Sequence, residues 1–381
     1  MATIRKRTLP SGKTSWQADY VDGGGKRRHR QFTTRKDADA FLLKARGEVS
    51  RGLHIAESAS ITLNDAGDLW LAQCHANGRE EATIKRYTAT LDLHVRPALG
   101  KLKLPKITTP MIQDHLDALA PSMSRSSLKK VRGAISAVFA TAVRRGKAAF
   151  NPAHEIVLDS TKRGDARPTM PSKAELRAIL AATPERWQPL IRTALFTGLR
   201  GSELRGLLWD DVDLDLGVIR VQRRVDFKNN FGPPKSEAGS RDVPLSDATV
   251  LMLKEWKLRC PVGTLGLVFP NGAGNVESHS NILKRAFWPA QIAAGVTVMV
   301  DAVDADGAPT KVPDAKYSLH VLRHAAAALF IQQGFTLKKL QQLMGHASIQ
   351  MTMDVYGYLF ASDKEDRVAM EEIDRRFNAA D

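Results

Sequence analysis

Six side chains in the C-terminal half of the chain have types suited to work on a phosphate. Arg200 follows Thr197-Gly198-Leu199, where one helix is expected to end and another to open at Ser202-Glu203-Leu204. Lys235 lies in Pro233-Pro234-Lys235-Ser236-Glu237, a loop between expected strands. His320 and Arg323 are three residues apart and share a face if that stretch is helical. His346 follows Gly345 and precedes Ser348, an expected N-cap, and Tyr356 sits on the next helix. Paired carboxylates, a histidine–glutamate metal signature and a phosphate-cradling glycine loop do not occur in the pattern. The inventory therefore fits phosphoryl chemistry without a metal: cations to hold the group and a phenol to attack it. A free phenol has a pKa of about 10, so only roughly a thousandth is phenolate at neutral pH. Nearby cations favour the anion, and a base takes the proton. The transition state carries its charge on the non-bridging oxygens, which a planar guanidinium grips with two hydrogen bonds.

The order of these residues has a counterpart in a known family. Thr197-Gly198-Leu199-Arg200-Gly201-Ser202-Glu203-Leu204, His320-Val321-Leu322-Arg323-His324, Leu343-Met344-Gly345-His346 and Thr352-Met353-Asp354-Val355-Tyr356 resemble, in sequence order, the successive boxes of the tyrosine recombinases, also called phage integrases. Carried over residue by residue, the resemblance implies a catalytic set of Arg200, Lys235, His320, Arg323, His346 and Tyr356. Arg200 and Arg323 would grip the phosphate and His346 would donate to the same oxygens. His320 would accept a proton near the attacking oxygen, and Lys235 would protonate the departing 5′ oxygen. A 3′-phosphotyrosyl intermediate conserves the phosphodiester energy, so no cofactor and no metal is expected. Lys228, seven residues upstream of Lys235, is the alternative lysine; Tyr358 is the decoy tyrosine; His324 reads as a supporting or core residue, and Glu203 as a buttress. Val321 stands where the family usually has Asp, and Gly201 replaces a more usual apolar residue.

Several elements must position this set. Trp16, Ala18 and Tyr20 alternate with polar residues as in a half-buried strand. Asp22-Gly23-Gly24-Gly25 then turns the chain into the basic run Lys26-Arg27-Arg28-His29-Arg30-Gln31-Phe32. Thr34, with Asp37 three residues on, starts a helix carrying Ala38, Phe41, Leu42, Ala45 and Val49 on one face. Residues 50–61 read as a linker. From about 62 to 151 the period is helical: Ala66, Leu69 and Trp70; Ile84, Tyr87 and Leu91; Ile112, Leu116 and Leu119 behind Thr109-Pro110. The clearest stripe is Leu128, Val131, Ile135, Val138, Phe139 and Ala142. Residues 153–168 form a second linker. Beyond it Ser172 and Glu175 form a capping box, and short strands are expected at 218–221, 242–245 and 267–269. Helices are expected near 187–197, 247–258, 281–294, 321–333, 337–343 and 348–359. Residues 296–316 read as an extra hairpin or loop. Ala369, Ile373 and Phe377 give the tail one apolar stripe, which family members dock on a neighbouring protomer.

Charge names the partner. Of 381 residues, 56 are Lys or Arg and 41 Asp or Glu, a net charge of +15. Residues 1–57 carry +7, residues 58–166 carry +6 and residues 167–381 only +2, so a polyanion is expected to lie against the first 166 residues. Lys26, Arg27, Arg28 and Arg30 on the basic strand, and Lys129, Lys130 and Arg132 flanking the 128–142 stripe, are the expected DNA contacts. Two isolated cysteines and the lack of a long apolar run argue against a disulfide scaffold and a membrane span, and point to a cytoplasmic, nucleoid-associated protein. The expected fold class is a multidomain chain: a small β-sheet-plus-helix domain (1–57), similar to the arm-site domain of many integrases, an all-α core-binding domain (58–166), and a mixed α+β catalytic domain (167–381). The expected function is site-specific recombination by the integrase of a prophage or integrative element. It would act as a homotetramer on double-stranded attachment sites, with directionality or DNA-bending factors as further partners. A catalytically silent relative occupying such sites, and a relaxing topoisomerase, are the alternatives.

Overall fold

A computed structural model describes residues 3–8, 12–22, 25–50, 60–158, 169–304, 307–360, 370–372, 375 and 377–378. Residues 51–59 and 159–168 of the two expected linkers, Gly23 and Gly24 of the expected turn, and Ala369 and Ile373 of the tail stripe lie outside the described residues. Phe377 is described and is exposed. The chain divides into two compact units, residues 1–162 and 163–381.

The first unit contains two separate hydrophobic cores. Strands β1 (Thr3–Thr8), β2 (Thr14–Val21) and β3 (Arg27–Phe32) form an antiparallel sheet with β2 central. Helix α1 (Arg35–Ser50) lies on one face, where Ala38, Leu42 and Ala45 meet Ala18 and Tyr20. Thr34 takes the Asp37 amide at 3.1 Å, as a cap should. Strand β1 carries no strand signal of its own: Thr3-Ile4-Arg5-Lys6-Arg7-Thr8 has one apolar residue, and its pairing is supplied from outside by β2.

The second core is built by α2 (Leu63–Ala76), α3 (Glu81–His94), the single turn α4 (Arg96–Leu99), α5 (Thr109–Leu119) and α6 (Arg125–Arg144). All six residues of the 128–142 stripe are buried, and Trp70 stacks on Tyr87 with ring centroids 4.7 Å apart.

The second unit opens with α7 (Lys173–Ala182), closed by the Ser172–Glu175 capping box, then α8 (Gln188–Thr197) and the short α9 (Gly201–Arg205). Next come β4 (Val212–Asp213), β5 (Val218–Val221), the small hairpin β6 (Arg224–Val225) and β7 (Phe231–Gly232), and β8 (Arg241–Pro244). Strands β4, β5 and β8 form one antiparallel sheet in that order. Helix α10 (Asp247–Arg259) follows; α11 (His279–Ile282) and α12 (Trp288–Ala293) are joined through a π-helical turn at 283–287. The 296–316 segment is a hairpin, β9 (Thr297–Val303) and β10 (Pro309–Ala315). Helices α13 (Val321–Gln332), α14 (Leu337–Met344) and α15 (Ile349–Tyr356) complete the unit. Leu267-Val268-Phe269 is buried but is not a strand; Leu267 makes one isolated bridge to Leu208. Its apolar run serves the core beneath α8 and α10, a role periodicity does not distinguish from pairing. This mixed α/β unit, a helical middle and a small sheet-plus-helix at the start match the expected fold class.

Candidate active site at the end of α14

Helices α8 and α14 both end in a glycine with left-handed backbone, Gly198 at φ 66° and Gly345 at φ 60°. A helix C-terminus leaves carbonyls unpaired and carries partial negative charge, which cations satisfy. Three guanidiniums do so here. Arg241 Nε donates to the Leu343 carbonyl at 2.7 Å, Arg323 Nη2 donates to Met344, and Arg200 Nη2 donates to Gly345 at 2.9 Å. Arg323 also donates to the Gly198 carbonyl at 2.6 Å, so one fork joins both helix ends. Glu203, 3% exposed, accepts from Arg200 Nη1 and from Arg241 Nη2, each at 2.8 Å. Burial alone would raise the Glu203 carboxyl. The hydrogen bond and charge of Arg241, with Arg200, overcome this and hold it below the usual carboxylate range. Arg323 is itself pushed down to about 9 by burial and by Arg200.

The histidines and tyrosine stand against this cluster. His346 Nδ1 pairs with the hydroxyl of the fully buried Thr352 at 2.9 Å, which fixes its ring. His346 stacks nearly parallel to Tyr356 at 6.3 Å. Tyr356 Oη lies 2.9 Å from His324 Nδ1, and His320 meets His324 edge-on at 4.9 Å. The segment entering α13 is held by Gln291, which donates to the Tyr317 carbonyl at 3.0 Å and accepts its amide at 2.8 Å. Tyr356 is 1% exposed, and burial pushes its phenol up to about 12, with Arg323 pulling the other way. His320 is drawn down to about 4 by desolvation, then by His324, Arg323 and Arg200.

His346 is also held down to about 4, by burial first and then by Arg323, Arg200, Arg241 and His320. Because the folded value lies below the unfolded one, the unfolded chain takes up the proton first. Stability is unaffected above pH 6.5 and is lost as pH falls from 6.5 towards 4. A group held at about 4 in place of 6.5 contributes a loss of about 2 kcal/mol at pH 5. Thermal melts at pH 7 and pH 5 are expected to show a fall in Tm that shrinks in His346→Gln; equal falls would remove His346 as a cause.

Of the six residues singled out by sequence, Arg200, His320, Arg323, His346 and Tyr356 come together here. Lys235 is exposed on the segment between β7 and β8, which continues directly into Arg241. Lys228 sits in the turn of the β6–β7 hairpin, its ammonium 5.9 Å from the Phe227 ring. Arg241 carried no sequence signal: a lone arginine opening a strand looks like any edge cation. His324 was visible but gave no sign that it, and not His320, would meet the phenol.

The candidate DNA contacts divide by register. On β3, Arg28 bonds to Asp22 at 2.9 Å, and Arg30 lies over the Phe32 and Phe41 rings on the α1 side. Alternation puts Arg27, His29 and Gln31 on the opposite face. There they join Gln17 and Asp19 of β2 and Arg5 and Arg7 of β1. Lys26 is exposed beside them. On α6, Lys129 and Lys130 are exposed, and Arg132 donates to the His154 carbonyl at 2.8 Å.

Three arginines, three histidines and a buried tyrosine thus gather around the end of α14. Residues 171–363 match the Phage integrase family and residues 63–157 match the Phage integrase central domain, so the chain belongs to the phage integrase family. It is 26% identical over 380 residues to a tyrosine recombinase XerC-like protein of Caldanaerobacter subterraneus subsp. tengcongensis, covering 91% of this chain and 92% of that one. Its fold is similar to that of the Tn1549 transposon integrase in complex with transposon right end DNA (TM-score 0.65, 19% identity, 82% of this chain and 99% of that one). It is also similar to a lambda integrase in a tetramer bound to a Holliday junction (TM-score 0.58, 21% identity, 90% and 95%). The protein is a site-specific DNA recombinase. No helix among the described residues is long and apolar enough to cross a membrane.

Proposed function

We propose that the protein cuts and rejoins duplex DNA at attachment sites through a 3′-phosphotyrosyl bond to Tyr356, as the integrase of a prophage or integrative element in the bacterial cytoplasm. The observation that carries this is the meeting of five residues from four separated stretches at the last turn of α14. Arg200 and Arg323 present donors already oriented by backbone carbonyls, so little reorganisation is needed when a phosphate enters. Thr352 occupies Nδ1 of His346, which leaves Nε2 as the ring nitrogen to serve the same oxygens. His320, on the open side near both arginines, is placed to bond phosphate. Lys235 protonates the 5′ oxygen as it leaves.

The first unit supplies the grip. Lys26 and Arg27, with Arg5, Arg7, His29 and Gln31, form an outer sheet face suited to a major groove. Lys129 and Lys130 contact phosphates; Arg28, Arg30 and Arg132 already serve protein partners and act mainly by their charge. Two duplexes must each be cut on two strands, so four protomers act together, in keeping with the tetramer recorded for lambda integrase.

The test is a nicked duplex carrying the element–chromosome junction, incubated without ATP and with a chelator. A protease-sensitive, denaturant-resistant adduct on the 3′ side is expected. DNA retained without any adduct supports the silent relative, and relaxation of supercoils without exchange between two cognate sites supports the topoisomerase.

A further inference from the structure

We infer that His324 is a catalytic residue, the base that takes the proton from the Tyr356 hydroxyl. This rests on the reading of Tyr356 as the nucleophile and extends it to a residue that the family pattern leaves in a supporting place.

The geometry selects His324 among three histidines. Its Nδ1 lies 2.9 Å from Tyr356 Oη, within reach for direct transfer. His346 turns its own Nδ1 to Thr352 and meets Tyr356 only by ring stacking at 6.3 Å. His320 meets the His324 ring at 4.9 Å, one side chain further from the phenol. Almost none of Tyr356 touches solvent, so bulk water is poorly placed to collect its proton. The groups facing His324 are Arg323 on its own helix, His320 at that helix's N-cap and Tyr356 on α15, with Tyr358 beyond it. Burial and Arg323 hold the imidazole below its ordinary value, and in the tautomer with its proton on Nε2 the nitrogen that accepts from Tyr356 Oη is Nδ1. The imidazolium formed on proton transfer is disfavoured by burial and by Arg323 while no phosphate is bound. It is offset once a phosphate lies on Arg200 and Arg323, which couples deprotonation to substrate arrival.

The step balances. The Oη–H bond breaks and the proton goes to His324 Nδ1; the Oη–P bond forms and the P–O5′ bond breaks; the 5′ oxygen takes a proton from the Lys235 ammonium. The products are a phosphotyrosyl diester, a 5′ hydroxyl, a His324 imidazolium and a neutral Lys235. Rejoining runs the same transfers backwards.

The test is single-turnover adduct formation on the nicked junction duplex and on one with sulfur replacing the bridging 5′ oxygen, a leaving group that needs no proton. His324→Asn keeps a hydrogen-bonding group near the position of Nδ1 but has no basicity. It is expected to bind DNA within about twofold of the parent and to form adduct ~10²–10³-fold more slowly. The sulfur substrate should not restore it. Its rate should climb about tenfold per pH unit from 7 to 9, as pre-formed phenolate takes over, while the parent stays flat. Lys235→Ala should show the opposite pattern, rescued by sulfur. His324→Gln, checked for folding by its melting curve, repeats the test if the Asn variant does not fold. A His324→Asn rate within threefold of the parent, full rescue by sulfur, or an unchanged pH profile overturns the inference. A Tyr356→Phe protein that still forms an adduct would instead overturn the nucleophile, so the two failures are distinguishable.

Discussion

Tyr356→Phe is expected to abolish covalent attachment to a nicked junction duplex, below about 10⁻⁴ of the parent yield, while DNA affinity stays within about twofold. The asymmetry follows from where the hydroxyl points. Tyr356 packs its ring against Ala327, Leu340 and Met344 and offers only Oη to the cleft, bonded to His324. Phenylalanine keeps the ring and so the packing, and leaves the arginines untouched. Losing one hydrogen bond costs stability only about 1 kcal/mol, whereas losing the nucleophile removes the pathway. Denaturing electrophoresis before and after protease treatment reads the adduct, and gel shift reads binding. An adduct of undiminished yield would direct attention to Tyr358, two residues on.

Arg241→Met is expected to have the largest effect on stability outside the hydrophobic core. Arg241 and Glu203 are both nearly fully buried and bond at 2.8 Å, and Arg241 also fills the Leu343 and Gly239 carbonyls. Removing one member of such a pair leaves a buried charge poorly compensated, at about 3–5 kcal/mol, here a fall in Tm of about 10 °C for a unit of this size. Glu203→Gln added to Arg241→Met should recover much of that loss, because the orphaned charge goes with it. The sign with pH is set by the depressed Glu203 carboxyl: its contribution is present above the ordinary glutamate value and is lost as pH falls through the lowered one. Adduct formation in Arg241→Met should drop ~10²-fold as well, since Arg200 loses the frame that aims it. Melting curves of the two single variants and the double variant decide the matter; a loss below about 1 kcal/mol would mean that Arg200 alone satisfies Glu203.

The sequence exposed whatever is local. The caps at Thr34, Ser172 and Ser348, the stripe from Leu128 to Ala142 and the boxes around Arg200, Arg323 and His346 follow from spacing and side-chain type within ten residues or so. What it hid is long-range. Arg241 matters because residues 38 and 102 positions away present Glu203 and Leu343 to it, and no pattern near Arg241 records that. The strand β1 exists because β2 offers an edge. The basic run on β3 was legible as charge, but alternation sorts it: Arg27 faces outward, while Arg30 is taken up by two phenylalanine rings. The pairing of Tyr356 with His324 in place of His320 depends on the approach of two helices, 32 residues apart in the chain.

Leu343, Met344 and Gly345 hand three successive carbonyls to three different arginines. Successive carbonyls on a helix turn by about 100°, so this division of cations holds for one winding of that final turn and no other. Unwinding that turn would take one partner from each of the three guanidiniums at once, leaving Arg323 its Gly198 carbonyl and Arg200 and Arg241 their shared Glu203.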